Sequence, residues 1–253
     1  MTEADLHFAL TVGIMVLAVP TFVALFWTTA PYGRHVRESW GPTLPSRVGW
    51  IVMESPTVLL FGAVYFGGEH RFELVPLVLF GFWHLHYVHR TYVFPFRMRA
   101  GGKRMSLAVV AMGMLFTSIN SYLNARWLSG FGAYSGAWLT DPRFLAGAAV
   151  FLVGLAINLH ADTVLISLRR PGETGYKIPR GGMYRWISSP NYFGEIVEWL
   201  GWALMTWSLP GLAFALYSVA NLAPRAISNH RWYREKFPGE YPRERRALIP
   251  YVL

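Results

Sequence analysis

The chain reads as an all-α, multi-pass membrane protein with seven transmembrane helices, its N-terminus outside and its C-terminus cytoplasmic. Three observations predict this. Hydrophobic residues make up 53% of the 253 and charged ones only 15%, against roughly 25% charged in soluble domains. The apolar residues gather into runs at roughly 7–29, 48–67, 74–94, 105–128, 143–167, 190–208 and 209–228, each close to the ~20 residues that a bilayer core requires. Lys and Arg, finally, alternate between successive connections: none before the first run, three in 30–47, one in 68–73, four in 97–104, two across 126–143, five from Arg169 to Arg185 and seven from Arg225 onward. By the positive-inside rule the richer connections and the tail are cytoplasmic.

Each span carries its own marks. The first follows M-T-E-A-D, which lacks the basic region of a cleavable signal peptide, so it is expected to stay as a helix. The second holds Trp50, Glu54 and Pro56, and the third ends in H-L-H-Y-V-H-R-T-Y with Arg90 inside the run. Pro20, Pro56, Pro76 and Pro224 are tolerable in spans where neighbouring helices or water satisfy the freed carbonyls. Spans six and seven are separated only by Ser208-Leu209-Pro210. The tail after Ile227 turns amphipathic and ends apolar, which predicts that it folds back on the cytoplasmic face. One membrane domain over 1–253, with no soluble appendage, accounts for the whole chain.

Composition also excludes. Cysteine is absent, so disulfides, thiolate metal sites and a Cys nucleophile are ruled out. The net charge of +9 sits in connections between apolar runs and not on one surface, so no nucleic-acid partner is expected. Gly130 to Gly136 (G-F-G-A-Y-S-G) lacks the G-x-G-x-x-G spacing, follows no strand and lies on the outer side, so it is not a nucleotide fingerprint.

The informative stretch runs from Asn158 to Trp199. Asn158, Asp162, Leu165 and Arg169 fall on one helical face at i, i+4, i+7 and i+11, and Asn191, Glu195 and Glu198 do the same in the next span. Lipid cannot satisfy such a stripe, so something polar is expected between the two helices. Around its cytoplasmic mouth stand Arg169, Arg170, Lys177, Arg180, Arg185 and Arg34 with the tail arginines. Most serve membrane topology, but Arg forks also bind phosphate bidentately. Carboxylates beside them accept from ribose hydroxyls or a carboxamide, so the mixture suits a dinucleotide better than a bare anion.

Two more groups ask for a chemical role. Glu54 lies near the middle of span two, where a lone carboxylate costs several kcal/mol unless neutralised or hydrogen-bonded. It either pairs with an Arg or keeps its proton and donates it to a carbonyl. Tyr87 shares a face with His84 and Thr91, and a buried phenol is a good acid toward an oxyanion, although an interfacial aromatic anchor is the plainer reading. His84, His86 and His89 invite a metal, yet only His86 and His89 share a face and no H-E-x-x-H accompanies them. No metal is expected.

These residues lie in motifs with a familiar look. The run from His160 to Trp199 (H-A-D-T-V-L-I-S-L-R-R-P-G-E-T-G-Y-K-I-P-R-G-G-M-Y-R-W-I-S-S-P-N-Y-F-G-E-I-V-E-W), W-S-L-P-G-L-A-F-A at 207–215 and the ending Y-P-R-E-R-R-A-L-I-P-Y resemble the C-terminal half of the steroid 5α-reductases. Upstream, P-Y-G-R-H at 31–35, W-I-V-M-E-S-P at 50–56 and H-Y-V-H-R-T-Y at 86–92 are similar to the same family in the same order.

The resemblance implies a seven-helix membrane reductase that binds NADPH on the cytoplasmic side. Its reaction would be reduction of the C4–C5 double bond of a 3-oxo-Δ4 steroid entering from lipid. Glu54 and Tyr87 match the pair that engages the 3-carbonyl, and Trp50 matches a residue lining the steroid pocket. Asn158, Asp162, Arg169, Tyr176, Asn191, Glu195, Arg225, Tyr233 and Arg245 match cofactor positions, with Glu198 close by. Met53 stands where the family has Gln, which bears on substrate preference. Lys177 replaces an Arg and lacks its bidentate fork.

Rival readings are an isoprenylcysteine carboxyl methyltransferase-like enzyme using S-adenosylmethionine, a sterol Δ14-reductase-type enzyme, and a non-catalytic lipid-binding membrane protein. The membrane would be a bacterial inner membrane or the endoplasmic reticulum. Oligomeric state is left open, a monomer being compatible with everything above.

Overall fold

Helix meets every one of the expected spans. The computed structural model describes residues 1–28, 41–98, 102–169, 173 and 175–253. The P-Y-G-R-H motif at 31–35, with Arg34, and Arg170 lie outside them. Helix α1 is Glu3–Trp27, α2 Ser46–Glu54, α3 Leu59–Phe66 and α4 Leu74–Val88. A short α5, Phe94–Arg97, precedes α6 Leu107–Arg126, α7 Pro142–Ser167, α8 Pro190–Thr206 and α9 Leu209–Lys236. Among the described residues, four helical segments are long and apolar enough to cross a membrane by length and composition: Glu3–Trp27, Ser46–Phe66, Leu107–Phe131 and Pro142–Ser167.

Local chemistry sets the boundaries. Thr2 and Asp5 form a reciprocal capping box, Thr2 N–H to Asp5 Oδ2 at 2.8 Å and Asp5 N–H to Thr2 Oγ1 at 3.2 Å. Asp141 caps α7 ahead of Pro142, and Ser208 caps α9. Trp207, at φ 45°, ends α8 in the left-handed region. That stop and the Ser208 cap together let the chain reverse within two residues, which is why so short a separator suffices.

The all-α expectation needs one correction. Thr43–Pro45 (β1) and Arg104–Ser106 (β2) pair antiparallel, Thr43 opposite Ser106 and Pro45 opposite Arg104. Arg104 reinforces the ribbon, its Nη2 donating to the Thr43 carbonyl at 2.6 Å and its Nε to Thr43 Oγ1 at 2.7 Å. The ribbon ties the start of α2 to the start of α6.

The core is aromatic. Trp83, Trp199, Trp202, Phe61 and Phe151 are fully buried, and the indole N–H groups of Trp83 and Trp202 donate to the Thr57 carbonyl and Asn124 Oδ1 at 2.8 and 2.9 Å. Against this core α7 and α8 pack backbone to backbone. A Cβ on Gly154 would stand 2.3 Å from the Glu198 nitrogen and 2.6 Å from the Gly194 carbonyl oxygen. Gly147, Gly194 and Gly201 are equally close to the facing backbone. Small residues are how membrane helices approach when no hydrophobic drive exists between them.

Gly154→Ala is therefore expected to destabilise by about 2–3 kcal/mol, because neither contacting atom can move aside. Gly62→Ala, where nothing lies within 4 Å, is the matched control and should be neutral. Thermal unfolding of both variants in detergent checks this, and equal midpoints would refute the close-packed seam.

The tail does fold back. Ser188 N–H donates to the Arg246 carbonyl at 2.9 Å and Arg246 N–H to the Trp186 carbonyl at 2.8 Å. Leu248 is buried with Ala223 and Ala226 of α9, and Tyr241 stacks on Tyr233 at 5.3 Å. Ser188 Oγ lies 2.6 Å from both His230 Nδ1 and Tyr241 Oη. Burial and the nearby Arg234, Arg246 and Arg245 hold the His230 imidazole below its usual pKa.

Candidate active site

The polar stripes of α7 and α8 do not enclose a slot between them, since the glycine seam closes it. Instead they meet one another and a cation from the next helix over. Asn158 Nδ2 donates to the Asn191 carbonyl at 3.0 Å, and Asn191 Nδ2 donates to Asp162 Oδ1 at 3.2 Å. Arg90 then reaches both helices, Nη1 to Asp162 Oδ2 at 3.3 Å and Nη2 to Glu195 Oε2 at 3.6 Å. It also lies within electrostatic reach of Glu54.

Arg90 is not among the residues that the stripes predict. It sits in the π-helical turn His89–Val93 that prolongs α4, a distortion frequent at functional sites. Its guanidinium lies 4.6 Å from the Trp50 ring and 4.8 Å from the Phe94 ring, and Trp50 Nε1 donates to its carbonyl at 3.1 Å. Trp50 thus clamps the arginine from both ends.

His86 was the second omission. Its Nδ1 stands 2.9 Å from Glu198 Oε1, and both side chains are buried. Glu198 Oε2 is buried with no partner. The other two histidines turn elsewhere, His84 to the Phe80 carbonyl and His89 to Arg97 Nη1.

Glu54 ends α2 where Pro56 interrupts the helix with the turn Ser55–Thr57. Its carbonyl accepts from Thr57 Oγ1 at 2.6 Å. The carboxyl itself has no hydrogen-bond partner among the described residues, and neither has the Tyr87 hydroxyl. The Tyr87 ring is held by Trp83 at 4.7 Å and stacks on Trp199 at 5.4 Å. The Glu54 carboxyl and the Tyr87 hydroxyl, on adjoining helices, are thus both without a hydrogen-bond partner among the described residues.

The remaining predicted residues line the tail side. Arg225 donates to Asn221 Oδ1 at 3.0 Å and to Tyr192 Oη at 2.9 Å. Tyr233 is buried in the stack with Tyr241. Tyr176 meets Trp232 edge-on at 4.7 Å, and Arg169 makes a long contact to the Gly175 carbonyl at 3.4 Å. Arg245, 4% exposed, donates through Nη2 to the Pro179 carbonyl at 2.9 Å. Its Nε and Nη1 are buried with no hydrogen-bond partner among the described residues.

A family profile described as 3-oxo-5-alpha-steroid 4-dehydrogenase matches residues 103–253. The chain belongs to this family of oxidoreductases. It is 43% identical over 245 residues to a steroid 5-alpha-reductase DET2 of Gossypium hirsutum, covering 94% of each chain. To 3-oxo-5-alpha-steroid 4-dehydrogenase 1 of Bos taurus it is 44% identical over 241 residues, covering 94% of this chain and 93% of that one. The human protein of that name is 43% identical over 227 residues, covering 89% of this chain and 87% of that one. These likenesses extend well upstream of the profile match, toward the part that holds Glu54 and Tyr87.

Two departures from the family pattern now have a setting. Met53 packs into the notch at Gly113 of α6, where an added Cβ would lie 2.3 Å from its sulfur. Lys177 pairs with Glu173 at 2.5 Å on the surface.

Proposed function

We propose that this reductase transfers hydride from NADPH to the C4–C5 double bond of a 3-oxo-Δ4 steroid, giving the 5α-dihydrosteroid. The steroid arrives from lipid and the cofactor from the cytoplasm, with all seven helical units spanning and the N-terminus outside. One observation carries the reading: within a chain of this family, the Glu54 carboxyl and Tyr87 hydroxyl stand unbonded beside the Arg90 cluster.

NADPH supplies the hydride when bound. The residues present fit such a dinucleotide because Arg245 keeps two buried N–H groups free for phosphate. Asn191, Asp162 and Glu195 offer amide and carboxylate groups for ribose hydroxyls or a carboxamide, and Arg90 fixes their positions.

Adding hydride at C5 of the enone moves electron density onto the ketone oxygen, and a proton taken from solvent at C4 then completes the reduction. Tyr87 and a protonated Glu54 donate hydrogen bonds to that oxygen and lower the barrier where charge develops. The aromatic walls exclude water, which strengthens those bonds. The family match at 43–44% identity displaces the methyltransferase and non-catalytic readings.

The deciding experiment is purified protein in detergent with NADPH and a panel of Δ4-3-ketosteroids. The expected product is two mass units heavier, at the expense of NADPH absorbance, with 5α stereochemistry. NADPH oxidation with no steroid of the panel would refute the proposal. Asn191→Ala is expected to weaken NADPH binding about tenfold, the loss of one bond to a partly buried carboxylate. A cofactor fluorescence titration reads it, and unaltered affinity would remove Asn191 from the cofactor site.

A further inference from the structure

The face of α7 turned away from Asn158 and Asp162 carries a second feature that the reaction does not use. A groove of about 410 Å³ opens there between α7 and the segment that leads into α8, within the roughly 300–1,000 Å³ of ordinary ligand pockets. Ile157, Met183 and Pro190 give it an apolar wall, while His160, Arg185 and Trp186 line its polar side.

Two glycines make the groove possible. Gly181 and Gly182 adopt φ of 90° and 50°, and a Cβ on Gly182 would lie 2.3 Å from His160 Cε1. The glycine pair therefore seats the loop directly on the imidazole. His160, Arg185 and Trp186 are exposed, and none of their side chains has a hydrogen bond or ion pair among the described residues.

Depth decides what can fill such a groove. His160 stands seven residues before the end of α7 at Ser167, about 10 Å along the helix axis. With the ~39 Å of α7 centred on a hydrocarbon core of ~30 Å, that places His160 about 6 Å inside the hydrocarbon, next to the headgroup layer. Exposed tryptophan belongs in this zone, and the basic connection from Arg169 to Arg185 marks the leaflet as the one facing the cytoplasm. An apolar wall beside a guanidinium with no partner among the described residues complements an amphiphile with a negative head. We propose that this groove binds one anionic phospholipid, its acyl chain along Ile157, Met183 and Pro190 and its phosphate at Arg185 with support from the Trp186 N–H and His160. The site is separate from the reductase chemistry and does not depend on it.

The test uses delipidated full-length protein in detergent, with phosphatidylglycerol and phosphatidylcholine compared by native mass spectrometry and thermal shift. Phosphatidylglycerol is expected to bind about fivefold more tightly, the effect of one cation near an anionic headgroup. Arg185→Gln should erase that preference. Ala156→Trp, at an exposed lining position, should block the groove and lower retention of phosphatidylglycerol with the charge intact. Equal binding of the two lipids would overturn the proposal, as would retention of phosphatidylglycerol unchanged by both variants. So would full competition by glycerol 3-phosphate, which would mean an anion site with no acyl chain in the groove.

Discussion

Tyr87→Phe is expected to lower turnover on testosterone or progesterone by about 10²–10³-fold, the usual effect of removing one donor from a developing oxyanion. Affinity for NADPH should be unchanged. The expectation is sharp because the substitution disturbs nothing else. The ring is fixed by Trp83 and Trp199, and a phenylalanine occupies the same volume against them. The hydroxyl that disappears has no protein partner among the described residues, so no donor or acceptor is orphaned. Any loss must then belong to the substrate's oxygen. Glu54→Gln is expected to cut turnover as well, since an amide N–H donates more weakly than a carboxyl proton. Steady-state kinetics at saturating NADPH, beside a cofactor titration, separates these outcomes. Wild-type turnover in Tyr87→Phe would end its assignment as the acid.

The helical architecture was legible because bilayer length and hydrophobic runs leave few alternatives, and among the described residues four helical segments are long and apolar enough to cross a membrane. The polar residues of α7 and α8 were legible for the same reason: amides and carboxylates at helical spacing have no place against lipid. Their meeting was misplaced, however. Gly147 and Gly154 in α7, and Gly194 and Gly201 in α8, each recur at i+7, a spacing that signals backbone contact. That contact closes the space between the helices and turns the stripe toward α4.

Arg90 escaped for a different reason. Histidines drew attention to H-L-H-Y-V-H-R-T-Y as a metal question, and the π-helical turn from His89 to Val93 breaks the 3.6-residue period on which face assignments depend. His86 lies in the regular part of α4, ahead of that turn, but its partner Glu198 is 112 residues away. The β1–β2 ribbon has only three residues on each side, too few for alternation to register. Arg245 is the reverse case. The resemblance named it among the cofactor positions, and burial with two nitrogens that have no hydrogen-bond partner among the described residues sets it apart from the other tail arginines.

Arg90→Met should be the most damaging single change in the polar cluster. The guanidinium stands between Asp162 and Glu195, with side-chain exposures of 15% for Arg90, 5% for Asp162 and 17% for Glu195. Removing one partner from a buried ion pair leaves uncompensated charge and costs about 3–5 kcal/mol. Methionine fills much the same volume beside Trp50 and Phe94, so packing contributes little to the difference. A fall of about 10 °C in the unfolding midpoint is the expected size for a chain this long, with NADPH binding lost in parallel because Asp162 and Glu195 are no longer held. The double variant Arg90→Met with Asp162→Asn distinguishes charge from shape. Coupling through the ion pair means that neutralising Asp162 restores part of the stability without restoring cofactor affinity. If Arg90→Met instead unfolds at the wild-type temperature and binds NADPH normally, the cluster is not organised by its cation, and the carboxylates must be carrying their own protons.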